Sequence, residues 1–123
     1  MGAPVKFFGQ LSEVEVTKIL IKSKVFALIS DYEGLSFALL SAMAFGLPSV
    51  VSNIQGNTDV IKDQVEGLVV DNNNQQEIES AIIKLLNSNQ LLLEYGKAAK
   101  QKVSNLYDQR VQIGKVIELM KVK

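Results

Sequence analysis

A carboxylate, a glycine and a hydroxyl stand together at Glu33-Gly34-Leu35-Ser36, after one apolar run and before another. A glutamate at such a point can accept hydrogen bonds from the hydroxyls of a ligand. Gly34 has no Cβ, so a ligand can approach its backbone closely. The amides of Gly34, Leu35 and Ser36 fall where a helix should begin. Unsatisfied N–H groups at a helix start suit an anion such as a phosphate. Ser41 lies further along the same helix and can exchange single hydrogen bonds. A lone Glu-Gly pair is more often a plain helix start, so the pair defines no site by itself.

The elements around this stretch must hold it in place. Residues 25–29 form a continuous apolar run, the pattern of a parallel strand covered on both faces. Phe37, Leu39, Leu40, Ala42, Met43, Ala44 and Phe45 make an almost wholly apolar helix, which predicts burial nearly all round. Gly46 is placed to end that helix and Pro48 follows it. Residues 49–52 then read as a short strand. The helix start therefore falls at the carboxyl end of the preceding strand, where open α/β sheets bind ligands.

The rest of the chain alternates in the same way. Residues 5–8 read as a strand. Ser12-Glu13-Val14-Glu15 is a capping box that opens a helix to about residue 23. A short helix is expected at 58–62, with Asp59 as its N-terminal charge, and a strand at 68–70. Helices are expected at 75–87, 90–105 and 108–121, the second interrupted in pattern by Gly96. Asn53, Asn57 and Asn72 to Asn74 read as turn residues, and Arg110 as half of a surface ion pair. Four strands alternating with helices predict a single α/β domain over residues 1–123, with a parallel sheet.

Composition excludes several classes of function. The 123 residues carry 13 Lys plus Arg and 13 Asp plus Glu, a net charge of zero, so no basic footprint for nucleic acid exists. There is no Cys and no His, which removes thiolate and imidazole metal ligands and the commonest general base. Met1-Gly2-Ala3-Pro4 leads straight into a strand-like run, so no signal peptide is read. No apolar run is long enough to span a bilayer. No Walker motif, glycine-rich phosphate loop or aspartate cluster is present.

Glu33-Gly34-Leu35-Ser36 and the run from Ala42-Met43-Ala44 through Gly46 and Pro48 to Val50-Val51 are joined in register by two further pieces. These are Gly56-Asn57-Thr58-Asp59-Val60-Ile61 and Glu66-Gly67-Leu68-Val69-Val70. Together they resemble the donor-binding motif of the retaining GT-B glycosyltransferases of group 1, or family 4. The resemblance implies a Rossmann-like parallel sheet and a nucleotide-sugar donor as substrate, with no metal and no further cofactor. It implies that Glu33 is the catalytic residue that contacts the transferred sugar. Gly34, Leu35 and Ser36 would bind sugar or phosphate. Ser41 would lie by the ribose, where the family carries a second glutamate eight positions after the first.

By the same resemblance the chain is a truncated donor domain. It would begin at the third strand, without the Arg or Lys residues that hold the diphosphate and without the N-terminal acceptor domain. The parent would be a cytoplasmic enzyme, peripheral to the inner face of the membrane, that builds polysaccharide or glycoconjugate. The fragment alone would be inactive. The alternative is a remnant or interaction module of the same fold that has lost donor binding, a reading favoured by Ser41.

Overall fold

The computed structural model describes residues 5–31, 34 and 36–106. Helix α1, Glu13–Lys22, begins with the capping box read from the sequence. The Ser12 hydroxyl accepts from the Glu15 N–H at 3.2 Å, and Glu15 accepts from the Ser12 N–H at 3.0 Å. The Ser12 backbone N–H, and after it the Ser12 hydroxyl, hold the Glu15 carboxyl below its ordinary range. The carboxylate's contribution to the helix start is therefore complete above the ordinary range and is lost as pH falls through the lowered value.

Strand β1, Phe26–Leu28, leads to helix α2, Phe37–Ala44, and strand β2, Ser49–Ser52. Helix α3, Gln55–Thr58, precedes strand β3, Gly67–Val70. Helices α4, Gln75–Leu86, and α5, Asn89–Leu106, complete the described order. The strands form a parallel sheet in the order β1-β2-β3. Ala27 pairs with Val50, and Val50 pairs with Leu68.

Three expectations are corrected. The described sheet has three strands rather than four. Residues 5–8 are not a strand: they have no ladder partner, and Val5 and Phe7 are 73% and 91% exposed. β-branched and aromatic composition cannot substitute for a neighbouring strand to bond. The short helix lies at Gln55–Thr58 rather than 58–62, and Asp59 is its C-cap. Finally, α2 is not buried all round. Leu39, Leu40, Ala42 and Met43 are buried, whereas Phe45 is 44% exposed and Phe37 and Ser41 are half-buried. The helix expected at 108–121 lies outside the described residues.

Successive residues of β2 point to opposite faces of the sheet, as strand geometry requires. Val51 enters one core with Leu39, Leu40, Met43, Ile61 and Val103. Val50 enters the other with Leu68, Val70, Leu85 and Tyr95. Helix α5 serves both cores, through Val103 on one side and Tyr95 on the other.

That reach depends on the end of α2, which is a Schellman turn. Leu47 N–H donates to Ala42 C=O at 3.0 Å and Gly46 N–H to Met43 C=O at 2.9 Å. Gly46 takes φ +77°, the left-handed conformation that glycine adopts freely. Leu47, just past the turn, packs with Ala42 and Leu20. Helix α5 crosses directly on this turn. A Cβ on Gly96 would stand 2.2 Å from the Gly46 carbonyl oxygen.

Gly96→Ala should therefore destabilise the fold, although alanine favours a helix interior by about 1 kcal/mol. The clash is with backbone, which cannot rotate aside, and overpacking of this kind costs about 1–3 kcal/mol. Urea denaturation is the measurement. A lower midpoint at an unchanged m-value is expected, and a midpoint equal to or above that of the native sequence contradicts the contact.

Candidate functional site

The carboxyl ends of the three strands are stitched together by short polar side chains. Ser52 closes β2 and is fully buried. Its hydroxyl accepts from the Ser30 N–H at 2.9 Å and donates to the Ser30 C=O at 2.7 Å. One side chain thus holds both backbone groups of a residue in the loop that leaves β1. Asn57, 1% exposed, donates from Nδ2 to the Ser52 carbonyl at 3.0 Å and to its hydroxyl at 3.2 Å. The adjoining rim is closed by Asn53 N–H, which donates to the Val70 carbonyl at 2.9 Å. Asn72, beyond β3, donates to the Asp31 carboxylate.

The effect is to anchor the β1–α2 loop at Ser30 and Asp31, just before the stretch that holds Gly34 and Ser36. Of the residues singled out in the sequence, Gly34 and Ser36 are described, and Glu33 and Leu35 lie outside the described residues. Ser36 is the N-cap of α2 rather than a residue of its first turn. Its hydroxyl accepts from the Leu39 N–H at 3.2 Å. One lone pair is thereby committed to the helix, while the hydroxyl proton remains able to donate.

Ser41 is not part of this rim. It sits on the flank of α2 that faces α1, in a cavity of about 350 Å³. Glu13, Val16, Thr17 and Leu20 form the α1 wall, one stripe at helical spacing. Phe37, Ser41 and Phe45 form the α2 wall, and Lys100 and Ser104 come from α5. Helices α1 and α2 each lead by a short turn into a parallel strand. Both therefore run opposite to the sheet, with their N-termini at its carboxyl edge. Glu13 in α1 and Phe37 in α2 share that end of the cavity.

Two features escaped the sequence reading. Asn57 reads as a turn residue by type, but it is a buried clamp. Its Oδ1 has no hydrogen-bond partner among the described residues, while its Nδ2 does the holding. Ser52 read only as a strand end. The available signal was a serine and an asparagine five apart at the exit of an apolar strand, since buried polar groups require partners. The Glu13 and Thr17 wall could be seen as a helix face, but not as a face turned towards Ser41.

Among the described residues, no group of three or more His, Cys, Asp or Glu side chains could hold a metal ion. None of their helices is long and apolar enough to cross a membrane.

Comparison with known proteins places these features in a family. Residues 1–102 match the family described as "Glycosyl transferases group 1". A UDP-Gal:alpha-D-GlcNAc-diphosphoundecaprenol alpha-1,3-galactosyltransferase of Escherichia coli is 30% identical over 105 residues. The match takes in 85% of this chain and 27% of that protein. The sulfoquinovosyl transferase SQD2 of Arabidopsis thaliana is 30% identical over 118 residues, 94% of this chain and 23% of its own length. The chain thus spans about a quarter of the length of these relatives.

Among solved structures, TarM superposes with a TM-score of 0.71 at 25% identity, over 85% of this chain and 21% of TarM. Anabaena HepE in complex with UDP also gives a TM-score of 0.71, at 17% identity, over 86% of this chain and 29% of HepE. The second likeness is one of fold. With a parallel α/β sheet, a glycine-serine helix start at its carboxyl edge and a family match over residues 1–102, the chain belongs to the group 1 glycosyl transferases.

Proposed function

We propose that this chain is the donor-binding part of a glycosyltransferase that moves a sugar from a nucleotide-sugar to a glycan or glycoconjugate acceptor. One observation carries the reading. In a group 1 transferase chain, the loop that holds Gly34 and leads to Ser36 at the start of α2 is anchored through Ser30 at the carboxyl edge of the sheet. Edges of this kind are where open α/β sheets take ligands.

In the proposed mechanism the donor diphosphate meets the start of α2, and Glu33 accepts hydrogen bonds from hydroxyls of the transferred sugar. As the bond from sugar to phosphate breaks, the electron pair leaves on the phosphate, the acceptor hydroxyl oxygen bonds to the anomeric carbon, and the hydroxyl proton passes to the departing phosphate. Helix amides at that point favour the added negative charge. The acceptor-binding part of the enzyme lies in sequence beyond this chain's match, as the length of the relatives suggests. Retention of anomeric configuration belongs to the same proposal.

Two outcomes test it. In the longer enzyme, Glu33→Gln should lower kcat/KM by roughly ten- to a hundredfold, the worth of about one charged hydrogen bond. Thermal melting should be little changed. Steady-state turnover of the donor measures the first quantity, and an undiminished kcat/KM removes Glu33 from the reaction.

The 123-residue polypeptide by itself should show no glycosyl transfer and only weak binding of UDP- or GDP-sugars. On this proposal two charged contacts to the diphosphate come from residues other than these, and each pair of such contacts is worth on the order of a hundredfold or more in affinity. Calorimetric titration with both donor types is the check, and a dissociation constant in the low micromolar range contradicts the expectation.

A further inference from the structure

The bonds between Ser52, Asn57 and Ser30 admit a single arrangement. A serine hydroxyl has one proton and two lone pairs. The Ser30 N–H and the Asn57 Nδ2 can only donate to the Ser52 hydroxyl, at 2.9 and 3.2 Å. Both lone pairs are therefore taken, and the proton goes to the Ser30 carbonyl at 2.7 Å. The Asn57 amide is fixed by the same logic. The Ser52 carbonyl, 3.0 Å from Nδ2, can only accept, so the nitrogen and not the oxygen must face it. Ser52 and Asn57 are both buried, and water does not compete for these groups.

What this arrangement costs singles out Asn57. Its Oδ1 is buried with no partner among the described residues, and an unpaired buried acceptor opposes folding. The Ser52 carbonyl does not need the amide, because it already accepts from the Ile54 N–H at 2.9 Å. The amide's distinct contribution is its second bond, to the Ser52 hydroxyl, which leaves the hydroxyl proton only the Ser30 carbonyl to turn to. An unsatisfied buried group calls for a reason beyond stability. A fixed direction of the backbone at Ser30 is such a reason.

With its N–H and its C=O both held, Ser30 has the peptide planes on either side of it set. The direction in which the chain leaves β1 is set with them. Asp31 follows, tied to Asn72. At the far end of the loop Ser36 caps α2 through the Leu39 N–H at 3.2 Å. We infer that Ser52 and Asn57 are positioning residues of the transfer reaction: acting through Ser30, they set the path of the chain towards Glu33, three residues on. They touch no substrate. The inference rests on the donor-binding reading above and adds to it two residues that follow α2 in the chain. A reacting group misplaced by about 1 Å costs on the order of a hundredfold in rate, so a buried clamp can govern turnover from a distance.

The test is a pair of double-mutant cycles in the longer enzyme, read as kcat and KM for donor turnover with thermal melting alongside. Ser52→Ala removes the hydroxyl and frees both backbone groups of Ser30. It should lower kcat by about ten- to a hundredfold and change KM less. In the Glu33→Gln background the same substitution should cost about twofold or less, because the position of an absent carboxylate no longer matters. Asn57→Ala spares the fold: the Ser52 carbonyl keeps the Ile54 N–H, and the unpaired Oδ1 goes with the side chain. It should show the same coupling to Glu33 at a smaller loss, about three- to tenfold. Ser52→Thr retains the hydroxyl and should recover most of the activity lost in Ser52→Ala.

Equal losses in the native and Glu33→Gln backgrounds mean that the clamp only supports the fold. An undiminished kcat in both Ser52→Ala and Asn57→Ala means that turnover does not depend on it. Either result overturns the inference and leaves donor binding standing. If Ser52→Ala melts below the assay temperature, the Asn57→Ala cycle decides alone. If Glu33→Gln itself leaves kcat/KM undiminished, the role of Glu33 in the donor reading fails, and this inference falls with it.

Discussion

Helix α5 must lie almost in backbone contact with the turn that ends α2, and the rest of the domain depends on this approach. The Gly96 position leaves no room for a methyl group against the Gly46 carbonyl. Gly46 and Pro48 come just before β2, so the crossing lies at the amino end of the sheet. From there α5 sends Tyr95 to one core and Ala99 and Val103 to the other. A parallel sheet needs cover on both faces, and a three-stranded sheet offers little area to hold each layer independently. A helix that reaches both cores couples them. Lys102 adds a tie of a different kind, 3.7 Å from the buried Glu66, whose other oxygen accepts from the Lys62 N–H at 2.7 Å. Buried charge needs such partners, and without them Glu66 would oppose folding.

Packing at one end of the sheet leaves the other end free for polar work. At the carboxyl edge the interactions are short and directional. Ser52 holds both backbone groups of Ser30, and Asn57 holds Ser52. A buried hydroxyl that both accepts and donates leaves little freedom to the loop it clamps. Hydrogen bonds to backbone also survive changes in the loop's own side chains. The loop can therefore carry ligand-binding residues without contributing much to the core.

The side of the domain next to β1 is less complete. Ala27 in β1 is exposed, although β2 is buried along its whole length. On the opposite edge, β3 is closed by its own preceding loop: Val69 N–H donates to Asp63 at 2.8 Å and Gln64 N–H to the Gly67 carbonyl at 2.7 Å. No comparable bonds close the outer edge of β1 among the described residues. The cavity beside α2 belongs to the same open side. Its aromatic wall and the half-exposed edge together explain why an almost wholly apolar helix is not enclosed.

Most of the element order was legible in the sequence because it rests on local chemistry. The capping box at Ser12 and Glu15, the glycine end of α2 at Gly46 and the Asn74 start of α4 are each decided within a few residues. The family motif was legible for the same reason, since its pieces are short and ordered. Local pattern did not decide which strands find partners. Residues 5–8 have strand composition and no ladder, because pairing is a property of two segments. Nor could it give Gly96 its reason: the glycine weakens the helix pattern locally and is required by a turn fifty residues earlier. Likewise the burial of Asn57 and the meeting of Glu13 with Ser41 in one cavity arise only when α1, α2 and β2 are brought side by side. Residue type and spacing determine what a side chain can do, and contacts between distant segments determine where it does it.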